Sequence, residues 1–577
     1  MTRALGALGL ASAALLSACA PALAGGQEPR AALPAVAPAT EPAAIPPGKA
    51  PPSGPYAPSW DVLHYDLEIA LPEGPGWIAG HARIGLARSD VPDTVLRLDL
   101  VGLAAQRVTV NGGDVAVDQQ NGKLLVVTGP GSAGDLVQVE VTYSGVPEDG
   151  LVLGRNAVNQ PAAFADNWPD RARYWFPSID HPADKATLAL TVHAPAAWQV
   201  VANGAQIGAP TRTPAGTGGP AGERRTWRWR TDVAIPTYTM VLGATTLAVD
   251  TIGLAACGRA PASPRADGCV VVTTALYPDD RTIGAASFKR AAQMVDLFSD
   301  WIGPFPYEQL AHVESSTRFG GMENASAIFY SETTLHSGRN MESTVAHETA
   351  HQWFGDSVTE TDWHHLWLSE GFATYFAALF CEWTDGPAAF RREMEGARLQ
   401  YVGSIDPEKP VIDPSAGDLF ELLNFNNYDK GAWILHMMRG VVGDSAFHSG
   451  VRDYYASHVN GNALTADLRA AMEKASGEDL GWFFDQWLNR PGHPVLRVTH
   501  RWDEATREIV VDVAQVQRTS WPRFRVPTEV LVRGGWGERR QAVDLSGART
   551  TVRIPAPCPA DAAAVDPGGW VLKSVER

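Results

Sequence analysis

Five cysteines in 577 residues are too few for a disulfide-built scaffold, so the fold must rest on buried apolar cores. No apolar run beyond the N-terminal leader is long enough to cross a membrane, and no internal repeat is visible, which sets aside a polytopic membrane protein and a solenoid. Basic side chains are also in deficit: 47 Lys and Arg stand against 64 Asp and Glu, a formal net charge of -17. That charge repels phosphate backbones and anionic headgroups, so no nucleic-acid partner is expected. Lysine is the scarcest cation, eight residues against thirty-nine Arg; with abundant Ala, Gly and Pro this reads as the codon usage of a GC-rich bacterium and concerns origin, not function. The chain is too long for one core and long enough for several domains.

Residues 1–24 have the order of an export signal: Arg3, an apolar run from Ala4 to Leu16, then small residues. Leu16-Ser17-Ala18-Cys19 resembles the bacterial lipobox, which would make Cys19 a lipid-bearing N-terminus and the sole membrane attachment. Ala22-Leu23-Ala24 fits cleavage of a soluble exported protein instead. The expectation is an envelope lipoprotein facing the periplasm or exterior, with plain secretion as the alternative. Residues 25–56 are a Pro- and Ala-rich linker. In an oxidising compartment Cys257 and Cys269, flanking a Gly-, Pro- and Arg-containing loop, could pair; Cys381 reads as a buried packing residue in an apolar helical stretch, and Cys558 is left open.

From 57 to 250 short alternating segments are punctuated by Gly, Pro and Asp, as in Tyr65-Asp66-Leu67-Glu68-Ile69, the pattern of an all-β domain. From 251 to 493 the period lengthens, and helices are expected near 286–301, 341–356, 365–384, 419–441, 445–458 and 464–489. Beyond Pro494 alternation returns to the end, as in Glu508-Ile509-Val510-Val511-Asp512-Val513, and 494–577 fits a small β-sandwich.

The chemistry concentrates at His347-Glu348-Thr349-Ala350-His351. On a helix, four-residue spacing stacks both imidazoles on one face, and Glu370, early in the next predicted helix, can add a carboxylate oxygen. Two His and one carboxylate suit one Zn2+ with its fourth position open to water, and Glu348, adjacent to His347 but not a ligand, is placed to take that water's proton. Histidine is scarce, 15 in the chain, so a chance HExxH match is expected in roughly two such chains in a hundred. His364 and His365 lie near Glu370 but lack a partner at ligand spacing. They read as surface or packing residues, and His312, His436 and His493 as structural.

The zinc motif alone does not separate an exopeptidase from an endopeptidase. Upstream lies Gly320-Gly321-Met322-Glu323-Asn324, whose two glycines permit close backbone approach to a ligand. The pair of motifs, in this order and spacing, resembles the aminopeptidase N family of gluzincins (peptidase family M1), which carries GxMEN, then HExxH, eighteen residues, and Glu. The resemblance implies that Glu323 binds the substrate's free α-ammonium while the Gly320–Asn324 backbone pairs with the extended peptide. Tyr428-Asp429-Lys430-Gly431 matches the family's downstream motif, whose Tyr hydroxyl donates to the oxyanion of the tetrahedral intermediate. Arg173-Tyr174-Trp175-Phe176-Pro177 with Asp180-His181-Pro182 resembles the N-terminal domain's signature, and Trp487-Leu488 with Pro491-Gly492 the end of the catalytic domain.

The fold implied is a saddle-like all-β N-terminal domain, a thermolysin-like, mainly α catalytic domain and a β-sandwich, without the C-terminal helical domain of longer members. The function implied is a zinc aminopeptidase acting on peptides with a free N-terminus. Trp168 stands where many members have a Glu or Gln that assists the anchor, leaving Asp166 and Asn167 as candidate substitutes. A thermolysin-like endopeptidase and a non-catalytic peptide-binding relative are the rival readings.

Overall fold

The computed structural model describes residues 59–89, 93–213 and 223–576. The export signal, the lipobox at Cys19 and the Pro/Ala-rich linker lie outside the described residues. The chain divides into two compact units, one running to Trp363 and taking in Tyr455–Leu464, the other made of His364–Tyr454 and Thr465–Arg577.

The first unit begins with a nine-stranded sheet. Trp60–Ala70 lies at its heart, antiparallel to Ile78–Arg88 and parallel to Lys185–Pro195. Strand Leu136–Gly145 shows why alternation was legible here: every second residue is buried and those between are partly or fully open to solvent, as in a sheet with one wetted face. Four- and three-stranded sheets complete this region.

A five-stranded sheet follows in the order Ala248–Ala255, Val270–Leu276, Leu310–Ser315, Ala327–Ser331, Gly321–Met322. Its three middle strands run parallel and every residue in them is buried. The expectation of a helical region after Asp280 omits the last three of these strands. Strands covered on both faces lose the two-residue period that would have marked them. The HExxH segment is helical over Glu342–Ala350, shorter than the expected 341–356, because its last carbonyls are met by turn hydrogen bonds such as Gln352 N–H to Thr349 O at 3.2 Å. A disulfide joins Cys257 and Cys269.

The second unit packs helices Trp367–Asp385, Pro387–Gly403, Gly431–Val442, Thr465–Ser476 and Gly481–Leu488 with two sheets, of four and three strands, drawn from Val495–Glu576. Two predicted helices are interrupted. The stretch 464–489 is interrupted at Gly477, whose positive φ of 73° lets its N–H close on Glu473 O at 2.8 Å, a helix-ending turn. The stretch 419–441 becomes a 3-10 turn at Leu419–Leu422, a π-helical turn at Asn426–Lys430 and only then an α-helix. Cys381 is buried and Cys558 exposed, both as free thiols.

One contact in this unit tolerates no side chain. A Cβ on Gly371, in helix Trp367–Asp385, would stand 2.9 Å from the backbone of Gly431, and one on Gly431 the same distance from Gly371 Cα. Two glycines thus let the helix bearing Glu370 meet the turn bearing Tyr428 backbone to backbone. Gly371→Ala is expected to lower stability by about 1–3 kcal/mol through overpacking. Gly396→Ala, in helix Pro387–Gly403 with nothing within 4 Å of the new Cβ, should be neutral or stabilising by up to about 1 kcal/mol. Denaturant midpoints of the two variants measure the contrast.

Candidate functional site

His347, Glu348 and His351 sit on one short helix, all nearly buried at 2 %, 5 % and 1 % exposure. The four-residue spacing does what helical geometry requires: the two imidazoles face each other with Nε2 atoms 3.0 Å apart. His351 Nδ1 lies 3.0 Å from the Phe354 carbonyl. With a proton on Nδ1, that bond fixes the tautomer and turns an Nε2 lone pair toward His347, the arrangement a metal-binding histidine takes. Two buried ring nitrogens converging in this way form a donor set that fits a divalent ion.

Carboxylates crowd the same place. Donor atoms of Glu323, Glu348 and His351 lie within 4.8 Å of one another. Glu323 belongs to the Gly320–Asn324 segment, in which Gly321–Met322 forms the edge strand of the five-stranded sheet, antiparallel to Ala327–Ser331. Gly321 lies against Glu348, since a Cβ there would run into its carboxylate. Glu323 itself is 6 % exposed. Asp356, fully buried nearby, has its carboxyl held well above the usual carboxylate range by burial first and then by the charge of Glu323, with His351 and Lys185 opposing.

Sequence reasoning missed the residues that hold this segment in place. Gln352, next to His351, donates from Nε2 to Glu323 O at 2.7 Å and to Asp356 Oδ2 at 2.8 Å, while its Oε1 accepts from Ser326 N at 2.8 Å. The turn that ends the HExxH helix therefore also clamps both sides of the Glu323 loop. Asn203 contributes from the β-rich region, its Nδ2 reaching Ala325 O at 2.7 Å, and Gly204 N donates to Ser326 Oγ at 2.7 Å. Ser326 needs this support, for it holds a φ of +63°, a region a serine seldom occupies. Adjacency of Gln352 to the HExxH motif was the sole signal in the sequence.

Asp166 and Asn167 are each held by partners of their own. Asp166, 1 % exposed, takes Arg171 at 2.9 Å on one oxygen and Arg318 at 3.0 Å on the other. Since Arg318 immediately precedes Phe319-Gly320, Asp166 ties down the approach to the loop. Asn167 donates to the carbonyls of Thr237 at 3.1 Å and Met240 at 2.6 Å and accepts from Trp175 Nε1 at 2.8 Å, so its amide is fully engaged. Trp168 packs edge-on against Phe319 and Trp363.

In the second unit, Glu370 lies in the first turn of Trp367–Asp385 and is 5 % exposed. Tyr428, on the π-helical turn, donates its hydroxyl to Glu370 Oε1 at 2.8 Å. Two residues on, Lys430 is wholly buried, and that burial lowers its ammonium to about 7. The neighbouring histidines are structural: His365 Nδ1 meets Thr465 Oγ1 at 2.8 Å and His364 packs toward Ala416 O at 3.4 Å. His312 meets the Tyr330 hydroxyl, His436 stacks on Trp570, and His493 meets Ser574.

Known proteins are similar to most of the chain. The Peptidase family M1 domain matches residues 287–487 and the Peptidase M1 N-terminal domain residues 62–239. Aminopeptidase N of Streptomyces lividans is 31 % identical over 430 residues, 69 % of this chain and 47 % of its own length. Tricorn protease-interacting factor F2 of Thermoplasma acidophilum is 28 % identical over 485 residues, 79 % of this chain and 56 % of its own. The chain spans about half the length of the curated relatives it matches. Among solved structures, the M1 zinc metallopeptidase of Deinococcus radiodurans superposes with a TM-score of 0.64 at 27 % identity, covering 76 % of this chain and 95 % of that one. The chain belongs to peptidase family M1.

Proposed function

We propose that this chain is a zinc-dependent aminopeptidase that hydrolyses the N-terminal bond of peptides. The observation that carries the reading is the meeting of Glu323, Glu348 and His351 in one buried place, which joins an anchor for a cation, a proton acceptor and a metal ligand. By the spacing of the HExxH motif and the downstream Glu, His347, His351 and Glu370 would hold the zinc, with Glu348 outside the set as the base. When bound, the zinc supplies Lewis acidity to the reacting oxygens.

Each remaining step belongs to a side chain. Glu323 pairs with the substrate's α-ammonium and fixes which peptide bond lies over Glu348, so the cut falls after the first residue. The outer backbone groups of Gly321–Met322, at the edge of its sheet, are available to an extended peptide added as a further strand. Glu348 takes a proton from the attacking water as the oxygen bonds to the scissile carbonyl carbon. It then returns that proton to the leaving amine as the carbon–nitrogen bond breaks. The Tyr428 hydroxyl, which donates its one proton to Glu370 Oε1 in the structure, turns it in the reaction to the carbonyl oxygen and stabilises the negative charge that develops there, a contribution of about 3–4 kcal/mol for donors of this type. The family's thermolysin-like catalytic architecture and saddle-like N-terminal domain belong to this reading, as does export: the leader pattern and the Cys257–Cys269 disulfide both suit an oxidising compartment. A lipid on Cys19 would fix the protein to the envelope.

Two substitutions test the assignments. Glu348→Gln keeps size and hydrogen bonding but removes the base, so the purified variant should retain wild-type zinc by elemental analysis and lose at least about 100-fold in kcat; near-normal turnover in a zinc-loaded variant would remove Glu348 from its role. Gln352→Ala deletes the clamp on the Glu323 loop without touching substrate. With two or three hydrogen bonds lost at about 1 kcal/mol each, kcat/KM should fall about 10- to 100-fold while zinc content is unchanged. Unaltered kinetics would show that the loop holds its place by other means.

A further inference from the structure

Three side chains outside the HExxH and GGMEN motifs converge at the carboxyl ends of the parallel strands. Asp280 closes the Pro278–Asp280 turn that follows strand Val270–Leu276, Glu314 is the penultimate residue of Leu310–Ser315, and His336 follows the short helix after Ala327–Ser331. Their strands are neighbours in the sheet, so residues at or just past the same ends are brought together, where open α/β sheets commonly bind ligands. One donor atom from each lies within 4.8 Å of the others. His336 Nε2 is 3.2 Å from Asp280 Oδ2 and 3.5 Å from Glu314 Oε1.

The two carboxylate oxygens that face this point are buried, and neither accepts a hydrogen bond of good geometry from a donor among the described residues; the Glu314 and Asp280 carboxyls lie close enough to share a proton. The Glu314 side chain has no solvent exposure at all, and its other oxygen is pinned by the Tyr277 N–H at 2.9 Å, which aims Oε1 into the gap. Buried carboxylate oxygens without donors are costly unless a cation meets them. Among the described residues no Lys or Arg forms an ion pair with either group; His336 alone does. Its side chain is 46 % exposed, so the cluster is closed on the protein side and reached from solvent past the imidazole. Burial pushes the Glu314 carboxyl up to about 8, opposed by the Tyr277 N–H and reinforced by the charge of Asp280. At neutral pH the Glu314 carboxyl therefore holds a proton that an arriving cation would displace.

We infer that Asp280, Glu314 and His336 form a second metal site, taking a divalent first-row transition ion with water completing its shell. The mixed donor set decides the class of ion: two carboxylate oxygens alone would suit Ca2+ or Mg2+, whereas an imidazole nitrogen beside them favours Zn2+ or Mn2+. The alternative occupant of the gap is the His336 imidazolium itself, in an ion-pair triad that needs no metal.

Equilibrium dialysis of the full chain against Zn2+, with bound metal counted by elemental analysis, separates the two. The expected result is that wild-type protein binds one ion more per chain than His336→Ala, and one more than Glu314→Gln, which keeps the buried shape without the charge. Because the readout is the difference between variants, it stands whether or not the HExxH site fills. Equal metal content in wild type and both variants would overturn the inference and leave the ion-pair triad. Retained far-ultraviolet circular dichroism in His336→Ala, whose ring is half exposed, keeps the comparison free of unfolding.

Discussion

Negative charge buried beside a histidine pair is the constraint from which the rest of the site follows. Glu323 and Glu348 are each about one-twentieth exposed and Asp356 not at all, and both glutamates add to the upward push on the Asp356 carboxyl. Such a concentration is costly in a low-dielectric interior unless positive charge arrives to meet it. In the proposed reaction two cations do so, the metal and the substrate's ammonium. In that proposed reaction, the same electrostatics that makes this place expensive to build favours a charged N-terminus.

Holding the charges apart and in place takes a frame, and the first unit supplies it from several strands and one helix. Gln352 joins the imidazole-bearing helix to the Glu323 loop. Asn203 and Gly204 brace the far side of that loop, and Asp166 secures Arg318 ahead of it. Lys185 reaches the carbonyls of Asp356 and Ser357 at 2.9 and 2.8 Å, placing a cation close to the acidic group. The second unit has its own frame, in which the absence of two side chains at Gly371 and Gly431 allows the Glu370 helix and the Tyr428 turn to touch. That turn is π-helical, a local irregularity often found where function overrides regular geometry.

Much of the site was legible in the sequence because its chemistry is local. Helical spacing places His347 and His351 on one face, and short motifs carry Glu323 and Tyr428. What was not legible depends on partners distant in the chain. Gln352 acquires its role from contacts with residues 323 and 326, twenty-nine and twenty-six positions away, and nothing in its immediate neighbours announces them. Asp166 and Asn167 were named as candidate helpers of Glu323 because they adjoin Trp168, and their tertiary contacts with Arg171, Arg318, Thr237 and Met240 could not be read from that position. Strands Leu310–Ser315 and Ala327–Ser331 were invisible to a search for alternation because both of their faces are covered. The Asp280–Glu314–His336 cluster, likewise, exists only once three parallel strand ends are side by side.

The most direct measurement is hydrolysis of aminoacyl-p-nitroanilides with a free α-amino group against their N-acetylated counterparts, each with chelator and with zinc restored. A carboxylate anchor for the ammonium predicts cleavage of the free-amine substrates alone, abolished by the chelator and recovered with zinc. Cleavage of the acetylated substrates would contradict the account and point to an endopeptidase, and no cleavage of either would contradict it in favour of a non-catalytic peptide-binding protein.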